Sequence, residues 1–135
     1  ALCLMMFCAE IFQVKKRVSM NIINEKDDAI SAKANSMWRE MIMHSNDGNY
    51  SEFIKHFSPS LMLGLNEVEV GRQFSTSELT RSLSDDFDEL GIIRRGEHVT
   101  VLFRQRSSKR EGEWLGRLVL GYDEGEIRVF GASIF

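Results

Sequence analysis

The end of the chain constrains the fold most. Residues 113–122 and 126–135 are two runs rich in aromatic and large aliphatic side chains, the composition of paired strands. Between them stands Asp123-Glu124-Gly125-Glu126. A two-residue loop at Glu124-Gly125, with glycine free to take positive φ, closes a hairpin with Asp123 opposite Glu126. Counting back from that loop puts Tyr122 opposite Ile127, Leu120 opposite Val129, Leu118 opposite Gly131 and Trp114 opposite Phe135. Strand side chains alternate, so these residues share one face.

Residues 97–105 extend the pattern, with Val99, Val101 and Phe103 alternating with Thr100, Leu102 and Arg104. Residues 106–112 are polar and form the connecting loop. With Phe103 opposite Trp114, Val101 meets Gly116 and Val99 meets Leu118. One apolar face then runs across a three-stranded meander, and a one-residue slip would turn all of it to water. The core is therefore expected to include Val99, Val101, Phe103, Leu118, Leu120 and Val129, packed against Trp38 and Phe87. The opposite face holds Leu102, Leu115, Val119, Phe130, Ala132 and Ile134, with Thr100, Arg117 and Arg128 among them. A solvated sheet face is mostly polar, so this one calls for a cover. A second copy of the chain is the expected cover, and these six residues are the expected dimer interface. The apolar segment of residues 2–12 is the other candidate.

The material before the sheet is helical. Asp27 and Asp28 favour a helix N-terminus, and Ile30, Ala34, Met37, Trp38 and Met41 make one apolar stripe, so residues 27–45 are expected to form a helix. Asn46-Asp47-Gly48-Asn49 ends it in a turn. A short helix over residues 49–57 carries Tyr50, Phe53, Ile54 and Phe57 on one face, and Ser58-Pro59-Ser60 breaks it. Residues 67–74 lean helical. Ser75-Thr76-Ser77-Glu78 matches a capping box, and Leu79, Leu83, Phe87 and Leu90 follow at helical spacing, which predicts a helix over residues 75–90. Ile92 to Arg95 would begin the first long strand, with Gly96 as a bulge or break. Helices followed by an antiparallel meander make an α+β fold, N-terminal helices packed on a curved sheet.

Length sets the domain count at one, with residues 1–19 an apolar extension, upstream or otherwise foreign to the domain, and residues 20–135 the domain. In residues 1–18 the apolar run precedes Lys15-Lys16-Arg17, the reverse of a secretory signal, so a cytoplasmic location is expected. The net charge of −3 argues against nucleic-acid binding, and no apolar run approaches the roughly 20 residues of a membrane span. Cys3 and Cys8 make neither a disulfide framework nor a zinc motif.

Chemical signatures are sparse. His44, His56 and His98 show no ligand spacing, and the acidic group Asp85, Asp86, Asp88 and Glu89 reads as a solvated helix face. Arg94-Arg95 and the cluster Arg104, Arg106, Lys109 and Arg110 read as exposed basic segments. The chain has no Gly-rich phosphate loop and no Gly-x-Ser-x-Gly elbow, and the domain holds no cysteine nucleophile, so no cofactor or metal is implied. The aromatic residues Trp38, Tyr50, Trp114 and Tyr122 are the candidates to line a pocket.

Trp38 in the first helix, the Asn46-Asp47-Gly48-Asn49-Tyr50 turn into an aromatic short helix, Phe57-Ser58-Pro59 and the closing long strands together resemble the cystatin-like α+β roll, in particular the nuclear transport factor two-like superfamily. The likeness spans about residues 27–135. It implies a cone of helices and curved sheet that can hold a small apolar ligand, and a homodimer built on the outer sheet face. Members include isomerases, dehydratases and hydrolases that act through Asp, His or Tyr inside the cone, and non-catalytic binding or assembly modules. No such catalytic residue maps onto this chain. The expected function is a non-catalytic binding or oligomerisation module, with a small enzyme acting on an apolar molecule as the alternative.

Overall fold

The computed structural model describes residues 21–135. Residues 2–12, the basic Lys15-Lys16-Arg17, both cysteines and the boundary at residues 19–20 lie outside the described residues. The order is helices, then a four-stranded antiparallel sheet with strands in sequence order. This is the α+β arrangement expected from the sequence, with one strand more than the meander.

Helix α1 (Asp27–Asp47) forms where acidic residues meet the N-terminal dipole and an apolar stripe recurs every three to four residues. It buries Ile30, Ala34, Met37, Trp38, Met41 and Ile42. Gly48 stops it at φ 69, a left-handed conformation that costs glycine nothing, and the Asn49 amide donates to the His44 carbonyl at 2.9 Å. Helix α2 is a single turn, Tyr50–Phe53. It is shorter than the helix expected over residues 49–57, because Phe57 is drawn into a parallel bridge with Val129. Pro59 opens α3 (Pro59–Met62) under a Ser58 cap, and Asn66 caps α4 (Glu67–Ser75).

The helix expected over residues 75–90 does not form. Ser75 ends α4 and bonds back to the Arg72 carbonyl at 2.7 Å. A single 3-10 turn, Leu79–Arg81, follows, and the chain then runs extended. Non-local hydrogen bonds hold it so: the Ser84 amide donates to the Arg106 carbonyl, and the Ser108 amide to the Ser82 carbonyl, both at 2.8 Å. Strand β1 (Asp88–Arg95) therefore begins inside the span read as helix. Gly96, at φ 66, belongs to a two-residue turn that joins β1 to β2 (His98–Gln105). Asp88 and Glu89 lie on this strand instead of on a helix face.

Strands β3 (Trp114–Asp123) and β4 (Glu126–Ile134) meet at the expected turn. Glu124 and Gly125 both take positive φ, 51 and 81, the geometry of a turn whose twist matches the strands. Asp123↔Glu126, Tyr122↔Ile127 and Leu120↔Val129 pair as expected. The register then shifts: Val119 pairs with Gly131, leaving Phe130 as an extra residue. Beyond this bulge Leu118 meets Ala132 rather than Gly131, and Leu115 rather than Trp114 pairs with Phe135. The shift turns Ala132 and Ile134 onto the core side, where both pack against the buried cluster. They do not share a face with Leu102, Leu115, Val119 and Phe130. Between β2 and β3 the register differs from the expected one by two residues, Phe103 pairing with Gly116. An even offset preserves the facing, so the core is unchanged.

That core is the expected one. Val99, Val101, Phe103, Leu118 and Leu120 are fully buried and Val129 nearly so. The Trp38 ring stacks on Phe103 at 4.9 Å and 11°, and Phe87 meets Phe103 edge-on at 5.5 Å. Gly116 lies beneath the Trp38 ring, where no side chain would fit. Gln105, also fully buried, accepts from Trp38 Nε1 at 2.8 Å and donates to the Ser84 and Arg106 carbonyls at 2.7 and 2.9 Å. One amide thereby ties α1 to the extended segment before β1 and satisfies the indole N–H in the core.

Candidate functional site

Two features stand out: a cavity under α1, and the apolar outer face of the sheet. The cavity encloses about 340 Å³ between α1, the α2–α4 segment, the 3-10 turn at Leu79 and the core side of β4. Its walls are Trp38, Met41, Phe53, Val70, Phe74 and Ala132, among others, with the hydroxyl and amide residues Ser45, Gln73, Ser77, Thr80 and Ser133 interspersed. Those polar groups mostly have partners within the protein. Ser45 donates to the Thr80 carbonyl, Thr80 to the Ser77 carbonyl at 3.0 Å, and Gln73 to Glu69 at 3.1 Å. Ser133 differs: it alternates with Ala132 and Ile134 and pairs with Arg117, so its side chain turns to the other face of the sheet and only its backbone borders the cavity; its hydroxyl is buried and has no hydrogen-bond partner among the described residues. Among the described residues the wall contains apolar and neutral polar side chains and no ionisable one. The size falls at the small end of the range for small-molecule sites.

The four aromatic candidates do not converge. Trp38 lines the cavity. Tyr50 packs edge-on against Phe74 at 5.4 Å, one layer out. Trp114 starts β3, with the Arg110 guanidinium 6.0 Å from its ring. Tyr122 lies at the far end of the sheet and donates to Glu25 at 3.0 Å, and burial pushes its phenol pKa up. Met41, Phe53 and Leu79 line the cavity although the sequence shows them only as parts of apolar stripes, and Phe74 although the sequence shows it only as the end of a helical segment.

Two of the histidines converge away from the cavity and the third stands apart. His44 and His56 approach the same carboxylate, Glu40, at 3.8 and 3.9 Å. Burial lowers the His56 pKa, and Glu40 opposes the shift. His98 stands on the outer face of β2, its ring 4.6 Å from Phe130. Arg106 is paired with Asp88 at 2.8 Å, which holds the Asp88 carboxyl below its usual range, and the Arg104 guanidinium lies farther from Asp88, at 3.5 Å. Glu89 accepts from Ser31 and Asn35 at 2.9 and 3.0 Å. Among the described residues no group of three or more His, Cys, Asp or Glu could hold a metal ion. No described helix is long and apolar enough to cross a membrane.

On the outer face, register aligns Ile93, Thr100, Val119 and Gly131 in one row across the sheet. Leu102 stands opposite Arg117, and Leu115 opposite Phe135. Ile93, Leu115 and Phe135 are 53%, 40% and 68% exposed, so the patch reaches from one edge strand to the other. Phe130 joins it because the bulge keeps it on this face beside Gly121. Ile93 and Phe135 extend the interface read from the sequence. Ile93 lies in the stretch read as the start of the first long strand, whose register against β2 was not drawn from the sequence.

No family model, curated protein or solved structure matches this chain.

Proposed function

We propose that this protein is a non-catalytic binding and oligomerisation module, homodimeric through the outer face of its sheet. The observation that carries the reading is the set of apolar side chains Leu102, Leu115, Val119 and Phe130 on one face, widened by the exposed Ile93 and Phe135 and punctuated by Thr100, Arg104 and Arg117. A sheet face this rich in exposed apolar side chains marks an interaction site. A second copy suits it, because a two-fold axis lets one patch serve both sides. A stable pair would bury roughly 800 Å² on each protomer. The likeness to the nuclear transport factor two-like superfamily and a cytoplasmic location belong to the same proposal. Light scattering and sedimentation test it. Val119→Asp should leave a folded monomer, since a dimer would have to bury an unpaired carboxylate in each copy. A wild-type protein that is monomeric at micromolar concentration, or a Val119→Asp variant that still dimerises, would rule this interface out.

The cavity favours a second, compatible role: holding a small uncharged apolar molecule. Acid–base catalysis needs an ionisable group within hydrogen-bond reach of the substrate, and the wall is built of neutral side chains. Binding therefore fits it better than turnover. Trp38 lies in that wall, so a small aromatic hydrocarbon such as toluene should quench or shift its emission saturably. An emission unchanged up to the solubility limit would exclude this role.

A further inference from the structure

We propose that His98 makes the association of two copies pH-sensitive, holding the pair together when its imidazole is neutral and weakening it when the ring is charged. The proposal rests on the dimer reading above and adds a control to it. His98 is the histidine on the outer face: it begins β2, stands opposite Arg95 on one side and Gly121 on the other, and lies partly buried. Its ring is built into the apolar patch. The Phe130 ring meets it at 4.6 Å and 63°. Glycine at position 121 makes that fit possible, because a methyl group there would come within 2.7 Å of the imidazole and 2.9 Å of the Phe130 ring. The histidine is thus packed as part of the surface that the second copy would cover.

In the sheet register the charges nearest to it are cationic. Arg95 of β1 flanks it directly, and Arg128 of β4 stands opposite Gly121 in the same row. Glu126, which could offset a positive ring, is already engaged by Arg128 at 2.5 Å. Asp123 of β3 sits at the end of the strand beside the β3–β4 turn, and Glu97 in the exposed β1–β2 turn. Before α1, the Asn21 side-chain amide donates to the Gly96 carbonyl and through its oxygen accepts from the Ile23 backbone amide, and Glu25 is held by Tyr122. A charged ring in the free protomer keeps its water. In the dimer it would lose that water between two arginines and a phenylalanine. The attraction of a cation for the Phe130 ring is present in both states and so does not favour the dimer. Desolvation penalises the charged form, and whatever binds protons less strongly is lost as the pH falls.

Sedimentation velocity at about pH 7.5 and about pH 5.5, on the full chain and on His98→Gln and His98→Leu, decides the matter. Imidazole changes charge in this interval while carboxylates titrate mostly below it. The wild-type dissociation constant should rise at least about tenfold at the lower pH. The two variants should dimerise about equally at both values, with far-UV circular dichroism confirming the fold. A wild-type dimer of unchanged affinity overturns the inference and leaves the dimer intact. A pH response that persists in folded His98→Gln overturns it as well. A protein monomeric at both values removes the dimer reading and this control together.

Discussion

Gly116→Ala tests the central packing of the protein. A methyl group on residue 116 would lie 2.5 Å from Trp38 Cζ2 and 3.0 Å from Cη2, with Phe103 Cβ at 3.4 Å behind it. The indole cannot withdraw freely. It stacks on Phe103, and its Nε1 donates to the buried Gln105 at 2.8 Å. Overpacking of this sort costs about 1–3 kcal/mol. A displaced indole also strains or breaks the bond to Gln105, adding about 1–3 kcal/mol when a buried donor loses its partner. The lower conformational entropy of alanine in the unfolded chain returns about 0.5–1 kcal/mol. The net expectation is a loss of about 2–4 kcal/mol. Urea denaturation followed by circular dichroism would show it as a fall in midpoint of about 1–2 M, given slopes of about 1–3 kcal/mol/M for small proteins. Trp38→Phe removes the clashing ring, so the double variant should recover at least about 1 kcal/mol relative to additivity. A Gly116→Ala protein within about 0.5 kcal/mol of wild type would refute this packing.

Two further expectations follow from neighbouring sites. Phe103→Ala removes a fully buried ring shared by Trp38 and Phe87 and should cost about 3–5 kcal/mol in the same denaturation experiment, with a loss below about 1 kcal/mol contradicting the core. His56 has a lowered pKa in the folded protein, so the unfolded chain takes up its proton first; its contribution is present above about pH 6.5 and declines as the pH falls from there toward the folded value. In His56→Gln, the stability lost between about pH 7 and 5 should be smaller than in wild type, and an identical loss would show that another group dominates.

Much of this architecture was legible because it is locally encoded. The Asp123–Glu126 turn, the stripe of α1 and the alternation around Val99, Val101 and Phe103 each sit in a few consecutive residues. The errors arose where distant partners decide. Leu79, Leu83, Phe87 and Leu90 have helical spacing, but Ser82 and Ser84 find their backbone partners at residues 106–108, and Phe87 reaches Phe103 from extended chain. The bulge at Phe130 leaves no sequence signature: the turn fixes register only until an extra residue enters, and Ala132 and Ile134 changed sides with it. The cavity was the least legible feature, since a cavity wall and a filled core use the same side chains. Trp38 was the one candidate that reached it.

The bridge between Phe57 and Val129 bears on how the protein avoids indiscriminate assembly. Strand β4 ends the sheet, and an unpaired rim of amides and carbonyls invites further strands without limit. At the middle of that rim the Val129 amide donates to the His56 carbonyl at 2.7 Å, and the Val129 carbonyl accepts from the Ser58 amide at 2.8 Å. Pro59 follows immediately and offers an incoming strand no amide hydrogen. The linker after α2 thus behaves as a sacrificial strand one residue long, occupying the template before a stranger can. Growth along the hydrogen-bonding direction is interrupted there, which leaves the sheet face, not this rim, as the surface on which the proposed two-fold pairing would close on itself.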